Sequence, residues 1–124
     1  MPIYLDTLCI FVYNIPMLNK QEILRGLTDT LILAQLYKGD SYGYEINKRI
    51  EETCAGMFKL TEATLYTAFR RLEEAELVSS YWGDGDRGAR RRYYSISKAG
   101  KKLYRENADD WNLFSAAICQ LLEQ

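Results

Sequence analysis

The hydrophobic period changes twice along this chain, and the order of those changes restricts the fold more than any other feature of the sequence. Up to Leu72 apolar residues recur at three- and four-residue steps, the spacing that gives a helix one buried stripe. From Leu77 to Ile96 β-branched and aromatic residues flank a glycine-dense turn, and from Ser97 the helical step returns and holds to the end. With 124 residues, 48% of them apolar, the chain is sized for one core.

The first predicted helix runs from Met17, with Ile23, Leu24, Leu27, Leu31, Leu33, Ala34 and Leu36 as its stripe, and stops at Gly39-Asp40-Ser41. The second takes Asp40 or Ser41 as N-cap, sets Tyr44, Ile46 and Ile50 on one side, and fades at Cys54 to Gly56. The third opens at Thr61, an N-cap residue followed by Glu62, whose charge suits a helix N-terminus. Leu65, Phe69 and Leu72 form its apolar edge, so Ala63, Thr64, Thr67, Arg70 and Arg71 face elsewhere. Leu77 to Trp82 and Arg91 to Ile96 pair as a β-hairpin across the turn Gly83 to Gly88. Ser97 caps the last helix, in which Gly100 reads as a weak spot.

There is no histidine, which removes the commonest proton-transfer group and metal ligand, and no glycine-rich phosphate loop. No enzyme activity, metal or cofactor is expected. Cys9, Cys54 and Cys119 are too far apart for a metal or redox motif and read as reduced, buried thiols. No apolar run reaches the ~20 residues of a membrane span, and Leu8 to Tyr13 lacks the flanks of a secretory signal, so a cytoplasmic protein is expected.

Sixteen basic and seventeen acidic residues leave a net charge of -1, so any polyanion footprint must be local. The charges are sorted accordingly. Arg87, Arg90, Arg91, Arg92, Lys98, Lys101, Lys102 and Arg105 follow one another with no acidic residue among them, whereas Glu106 to Gln124 holds four acidic residues and no basic one.

Mainly α structure with a β-hairpin, in the order three helices then hairpin, is the order of a winged helix-turn-helix followed by a long C-terminal helix. In that architecture the third helix enters the major groove and a basic hairpin reaches the backbone or minor groove. Thr61, Ala63, Thr64 and Thr67 are small or hydroxylated and permit close approach to base edges, while Lys59, Arg70 and Arg71 flank them for phosphate. Arg87, Arg90, Arg91 and Arg92 are the wing contacts. Tyr42 and Tyr66 either donate to phosphates or belong to the core with hydroxyls at the surface. In the last helix Tyr104, Trp111, Phe114, Ile118 and Leu121 form a seam that needs a partner surface, most simply a second copy of the chain.

These residues resemble the PadR-type transcriptional regulators. The resemblance runs from about Leu24 to Leu122 and rests on Leu24-Arg25-Gly26, Ser41-Tyr42-Gly43-Tyr44-Glu45-Ile46, Thr64-Leu65-Tyr66, Arg71-Leu72-Glu73-Glu74, Trp82, Arg90-Arg91-Arg92-Tyr93-Tyr94 and Ser97-Lys98-Ala99-Gly100. The short last helix resembles the small subfamily, with a single dimerising helix. The resemblance implies a homodimeric repressor on a double-stranded, pseudo-palindromic operator, relieved by an aromatic or cationic small molecule. It also implies that Trp111, with Asp110, Phe114 and Ile118, helps line the cavity for that molecule. The other class of reading is a winged helix that binds proteins without sequence-specific DNA binding.

Two positions depart from the family pattern. Thr67 stands where proline is usual, giving a more regular helix with a hydroxyl on its reading face. Glu76 stands where glycine usually ends the third helix, so a side chain must accept backbone angles that glycine takes freely. The expected organisation is an N-terminal extension at 1–16, a DNA-binding domain at 17–97 and a dimerisation helix at 98–124, with Met17 near the position where family chains begin.

Overall fold

A computed structural model describes residues 19–85 and 88–123, so the extension at 1–16, Met17, Cys9 and Arg87 lie outside the described residues. The elements in order are α1 (Lys20–Arg25), α2 (Thr28–Tyr37), β1 (Ser41–Tyr42), α3 (Gly43–Thr53), α4 (Glu62–Glu74), β2 (Val78–Asp84), β3 (Arg90–Ile96) and α5 (Lys98–Leu122). The strands form one antiparallel sheet in the order β1-β3-β2. Ser41 pairs with Tyr94 and Tyr42 with Tyr93, while β2 and β3 run in register from Val78 opposite Ile96 to Asp84 opposite Arg90.

The first expected helix is two. The Leu24 carbonyl accepts from the Leu27 N–H at 2.8 Å and from the Thr28 hydroxyl at 2.9 Å, which closes α1 with a tight turn beside Gly26, a poor helix former. The α1 turn buries no residue, and the core begins with Ile32, Leu33 and Leu36 of α2.

The second helix also starts later than expected, with Tyr42 as N-cap and no side-chain cap. Ser41 is drawn into the sheet by Tyr94, fully buried, and donates its hydroxyl to the Glu45 carboxylate instead. Ile46 and Ile50 are buried as expected, but Tyr44 is 71% exposed. Two residues on a helix are ~200° apart, so Tyr44 cannot share the face of Ile46.

Thr61 caps α4 by accepting from the Thr64 N–H at 3.2 Å, and Leu65, Ala68, Phe69 and Leu72 turn inward. The Phe69 ring lies flat on Tyr94 of β3, centroids 3.8 Å apart, which joins α4 to the sheet at the centre of the core. The exits of α3 and α4 each carry a non-glycine residue in the left-handed region: Ala55 at φ 55° and Glu76 at φ 60°.

Ser97 caps α5 as expected, accepting from the Gly100 N–H at 3.0 Å. Gly100 is a point of contact, not of weakness: a Cβ there would sit 2.3 Å from the Leu77 carbonyl oxygen and 2.7 Å from Ile96. The expectation of buried thiols is corrected. Cys54 is half-buried against Phe58, and Cys119 is exposed because α5 extends past the core that could cover it. Among the described residues no helix is long and apolar enough to cross a membrane, and no cluster of histidine, cysteine or carboxylate side chains could hold a metal ion.

Candidate nucleic-acid interface

Helix α4 is held from three directions, and its outward face is what those restraints leave free. At its start, the Asn47 amide of α3 closes a ring with the backbone of Leu60, donating to the Leu60 carbonyl at 2.6 Å and accepting from the Leu60 N–H at 2.9 Å. This fixes the turn between α3 and α4. On one flank the Arg71 guanidinium forms a two-point ion pair with Asp29 of α2, Nε lying 3.2 Å from Oδ2. That pair raises the Arg71 pKa, chiefly through the hydrogen bond to Asp29. On the other flank the Glu73 carboxylate accepts from the Ser80 hydroxyl of β2 at 2.8 Å and pairs with Arg92 of β3 at 3.4 Å.

Ala63, Thr64, Thr67 and Arg70 are exposed on the remaining face, as the sequence predicts. The Thr61 hydroxyl lies 2.9 Å from that of Thr64, so the two form a linked pair at the tip of the helix. A groove runs along each side of this ridge. One, of about 760 Å³, is lined by Lys59, Thr61, Thr64, Thr67 and Arg71 together with residues of α1 and α2. The other, of about 660 Å³, is lined by Ala63, Tyr66, Thr67, Arg70, Glu73 and Arg92.

The wing brings three consecutive arginines onto three aromatic rings. Arg90 lies 5.3 Å from the Trp82 ring centroid, Arg91 4.4 Å from that of Tyr42 and Arg92 5.8 Å from that of Tyr94. All three distances lie within the range of cation–π attraction. Gly83 makes room for the neighbouring Tyr93, whose ring a Cβ there would meet at 2.7 Å. Tyr42 is half-buried, edge-on to Tyr93, and Tyr66 is 52% exposed with its ring edge on Phe69. Both tyrosines therefore combine a core-facing ring with a surface position.

Sequence reasoning placed Arg71 and Arg92 with the phosphate contacts, and both are engaged with carboxylates of the same chain. It missed Asn47, Asp29 and Glu73, whose partners lie 13, 42 and 19 residues away in sequence, beyond the reach of any periodic signal.

On α5 the exposed apolar residues include Trp111, Phe114, Ile118 and Leu121, with Leu113 and Leu122 beside them. Asp110, Trp111 and Phe114 line a groove of about 620 Å³ with Gly26, Leu27, Thr30 and Asn107, and Ile118 lies further along the helix. Tyr104 is separated from this group: its ring packs on Tyr37, centroids 4.9 Å apart, at the edge of the chain's own core.

The family model of the Transcriptional regulator PadR-like family matches residues 32–106. A protein of Lysinibacillus sphaericus without an assigned role is 39% identical over 92 residues, which span 74% of this chain and 84% of the relative. Among solved structures, a transcriptional regulator from Clostridium thermocellum superposes with a TM-score of 0.72 at 40% identity, covering 80% of this chain and 96% of that one. A PadR family transcription regulator from Clostridium difficile gives 0.68 at 35% identity, covering 77% and 98%.

Proposed function

We propose, from the premise that the chain belongs to the PadR-like family of transcriptional regulators, that it is a homodimeric repressor whose α4 ridge reads a DNA operator. The observation that carries this reading is the ridge itself. Exposed Ala63, Thr64, Thr67 and Arg70 stand between two channels, with Lys59 on one side and the arginines of the wing on the other. Small and hydroxylated side chains let a helix backbone approach base edges and thymine methyls closely, and the flanking cations meet phosphate.

A second copy of the chain accounts for the exposed stripe of α5, where Trp111, Phe114, Ile118 and Leu121 are left partly or largely uncovered by the described residues. Two-fold pairing through α5 would set two α4 ridges on half-sites about one helical turn (~34 Å) apart, and hence a pseudo-palindromic operator. The groove beside Trp111 suits a flat aromatic ligand, with Asp110 at its rim favouring a cation. Such an effector relieves repression by binding the DNA-free geometry more tightly, and DNA weakens its binding by the same factor.

The test is fluorescence anisotropy of the protein titrated into duplex from its own upstream region and into unrelated duplex, at two salt concentrations. Expected are selective binding and a steep loss of affinity with salt. Arg91→Ala should weaken binding to both duplexes, whereas Thr64 and Thr67 variants should change which sequence is preferred. If neither class of substitution alters DNA binding, this docking is wrong. Salt-insensitive binding to a protein partner alone would favour an interaction module instead.

A further inference from the structure

The clasp at Glu73 assigns a role to three side chains that touch one another across α4 and both wing strands. Glu73 accepts from the Ser80 hydroxyl at 2.8 Å. The same hydroxyl receives the Arg92 guanidinium, with Nη2 at 2.9 Å and Nε at 3.1 Å, and that guanidinium reaches the Glu73 oxygens at 3.4 and 3.5 Å. Glu73 is on α4, Ser80 on β2 and Arg92 on β3, so one three-membered cluster ties the reading helix to each strand of the hairpin. Its base is the Phe69–Tyr94 stack, over which Arg92 also lies.

Glu73 lines the channel along the α4 ridge, together with Arg70 and Ala63. A carboxylate in a channel offered to phosphate opposes binding to every DNA sequence, and it also occupies a cation that could otherwise add a contact. A group that lowers general affinity while fixing the angle between two reading elements raises selectivity, because only a duplex of matching groove width and path satisfies both elements together.

We infer that Glu73 is a positioning residue for operator selectivity: through Ser80 and Arg92 it fixes the angle of the wing relative to α4, without touching DNA itself. The inference rests on the DNA-binding reading above. It assigns Arg92 to the clasp, leaving Arg90 and Arg91 as the arginines carried at the set angle.

The experiment uses the full chain and the duplex that the wild-type protein enriches from a randomised library, with unrelated duplex as the reference. Glu73→Ala is expected to raise affinity for unrelated duplex and to lower the preference for the enriched duplex about tenfold. The salt slope should steepen by about one contact per protomer as Arg92 is released. Hydrogen exchange of the amides in β2 and β3 should quicken in the free protein. Glu73→Gln, which keeps the shape and an acceptor for Ser80, should fall between wild type and alanine. Should Glu73→Ala prove poorly folded, the glutamine variant and Ser80→Ala carry the same comparison. Combining Glu73→Ala with Arg92→Ala should cost no more selectivity than either change alone, since both open one clasp. Equal changes in affinity for both duplexes, or unchanged preference with unchanged hairpin exchange, would overturn the assignment. If the wild type enriches no duplex, it is the DNA-binding reading that fails, and the assignment with it.

Discussion

Replacing Glu76 by glycine should stabilise this protein although it removes a whole side chain. Glu76 sits at φ 60°, in the left-handed region, at the position just beyond the end of α4. The Leu77 N–H donates to the Leu72 carbonyl at 2.9 Å and the Glu76 N–H to that of Glu73 at 3.0 Å, the paired bonds of a Schellman exit that glycine normally completes. A side chain in that conformation costs about 1–2 kcal/mol. Glycine relieves this but loses about 0.5–1 kcal/mol more backbone entropy on folding, so the net gain is about 0.5–1 kcal/mol. For a chain of this size that corresponds to a rise of about 2–5 °C in the melting midpoint, measured by calorimetry or circular dichroism at fixed protein concentration. Glu76→Ala is the control, since it removes the negative charge from a helix C-terminus, itself unfavourable, while keeping the Cβ. The Ser97 hydroxyl bonds to the Glu76 carbonyl at 2.8 Å, a backbone contact that both variants retain. If alanine stabilises as much as glycine, the gain is electrostatic and the strain argument is refuted.

Gly100→Ala should destabilise by about 1–3 kcal/mol, because its Cβ would meet the Leu77 carbonyl at 2.3 Å in a corner with no room to shift; chemical denaturation would show it, and an unchanged midpoint would contradict the close approach. Tyr94 has its pKa raised above 10.0, mainly by burial, with Arg92 opposing, and Tyr81 is raised mainly by its hydrogen bond to Asp40. The folded state therefore holds both protons more tightly than the unfolded chain, so their contribution is complete below pH 10 and is lost as pH rises through the folded values. Tyr94→Phe should flatten the loss of stability above pH 10 in thermal melts taken across alkaline pH, and an unchanged alkaline slope would rule this out. Under the proposed dimer, Trp111→Ala should weaken self-association by at least about 1 kcal/mol, about fivefold in dissociation constant, in sedimentation velocity. A monomeric wild type would remove the basis for that expectation.

What could be read from the sequence follows the range of the interaction behind each feature. The caps at Thr61 and Ser97 were legible because a hydroxyl and the amide three residues on are neighbours in the chain. The inward row Leu65, Phe69 and Leu72 and the two long strands were legible from period alone, with strand ends displaced by a residue or two. Glu76 was legible as a strained exit because the departure from glycine and the end of the apolar period coincide. The break at Gly26 was not, since it depends on one hydroxyl competing for the Leu24 carbonyl inside an unbroken hydrophobic pattern. Nor was the capture of Ser41 by the sheet, which needs Tyr94, more than 50 residues downstream. The exposed face of α4 was legible by subtraction, as the side of the helix without apolar residues. The partners that hold it were not, because Asn47, Asp29 and Glu73 look like ordinary surface polar residues until the fold brings their targets to them.

For the proposed DNA binding, a chain of net charge -1 must hold a polyanion with a local set of cations. Lys59, Arg70, Arg71, Arg87, Arg90, Arg91 and Arg92 are the cations the sequence directs at phosphate. If all seven made contact, a dimer would show a salt slope of about -13 in log affinity against log salt, at ~0.9 per contact. Arg71 is held by Asp29 and Arg92 by Glu73, so both are neutralised where they stand, and their carboxylates lie beside the ridge. Removing these two from each protomer lowers the magnitude by about 4, to at most about 9. The difference is large enough to resolve by anisotropy across a fourfold range of salt. A slope near the lower magnitude would mean that the two clasps stay closed on DNA and act by holding α4 and the wing in place. A slope near the higher one would mean that phosphate displaces both carboxylates, and the rigid docking argued from Asp29 and Glu73 would have to be abandoned.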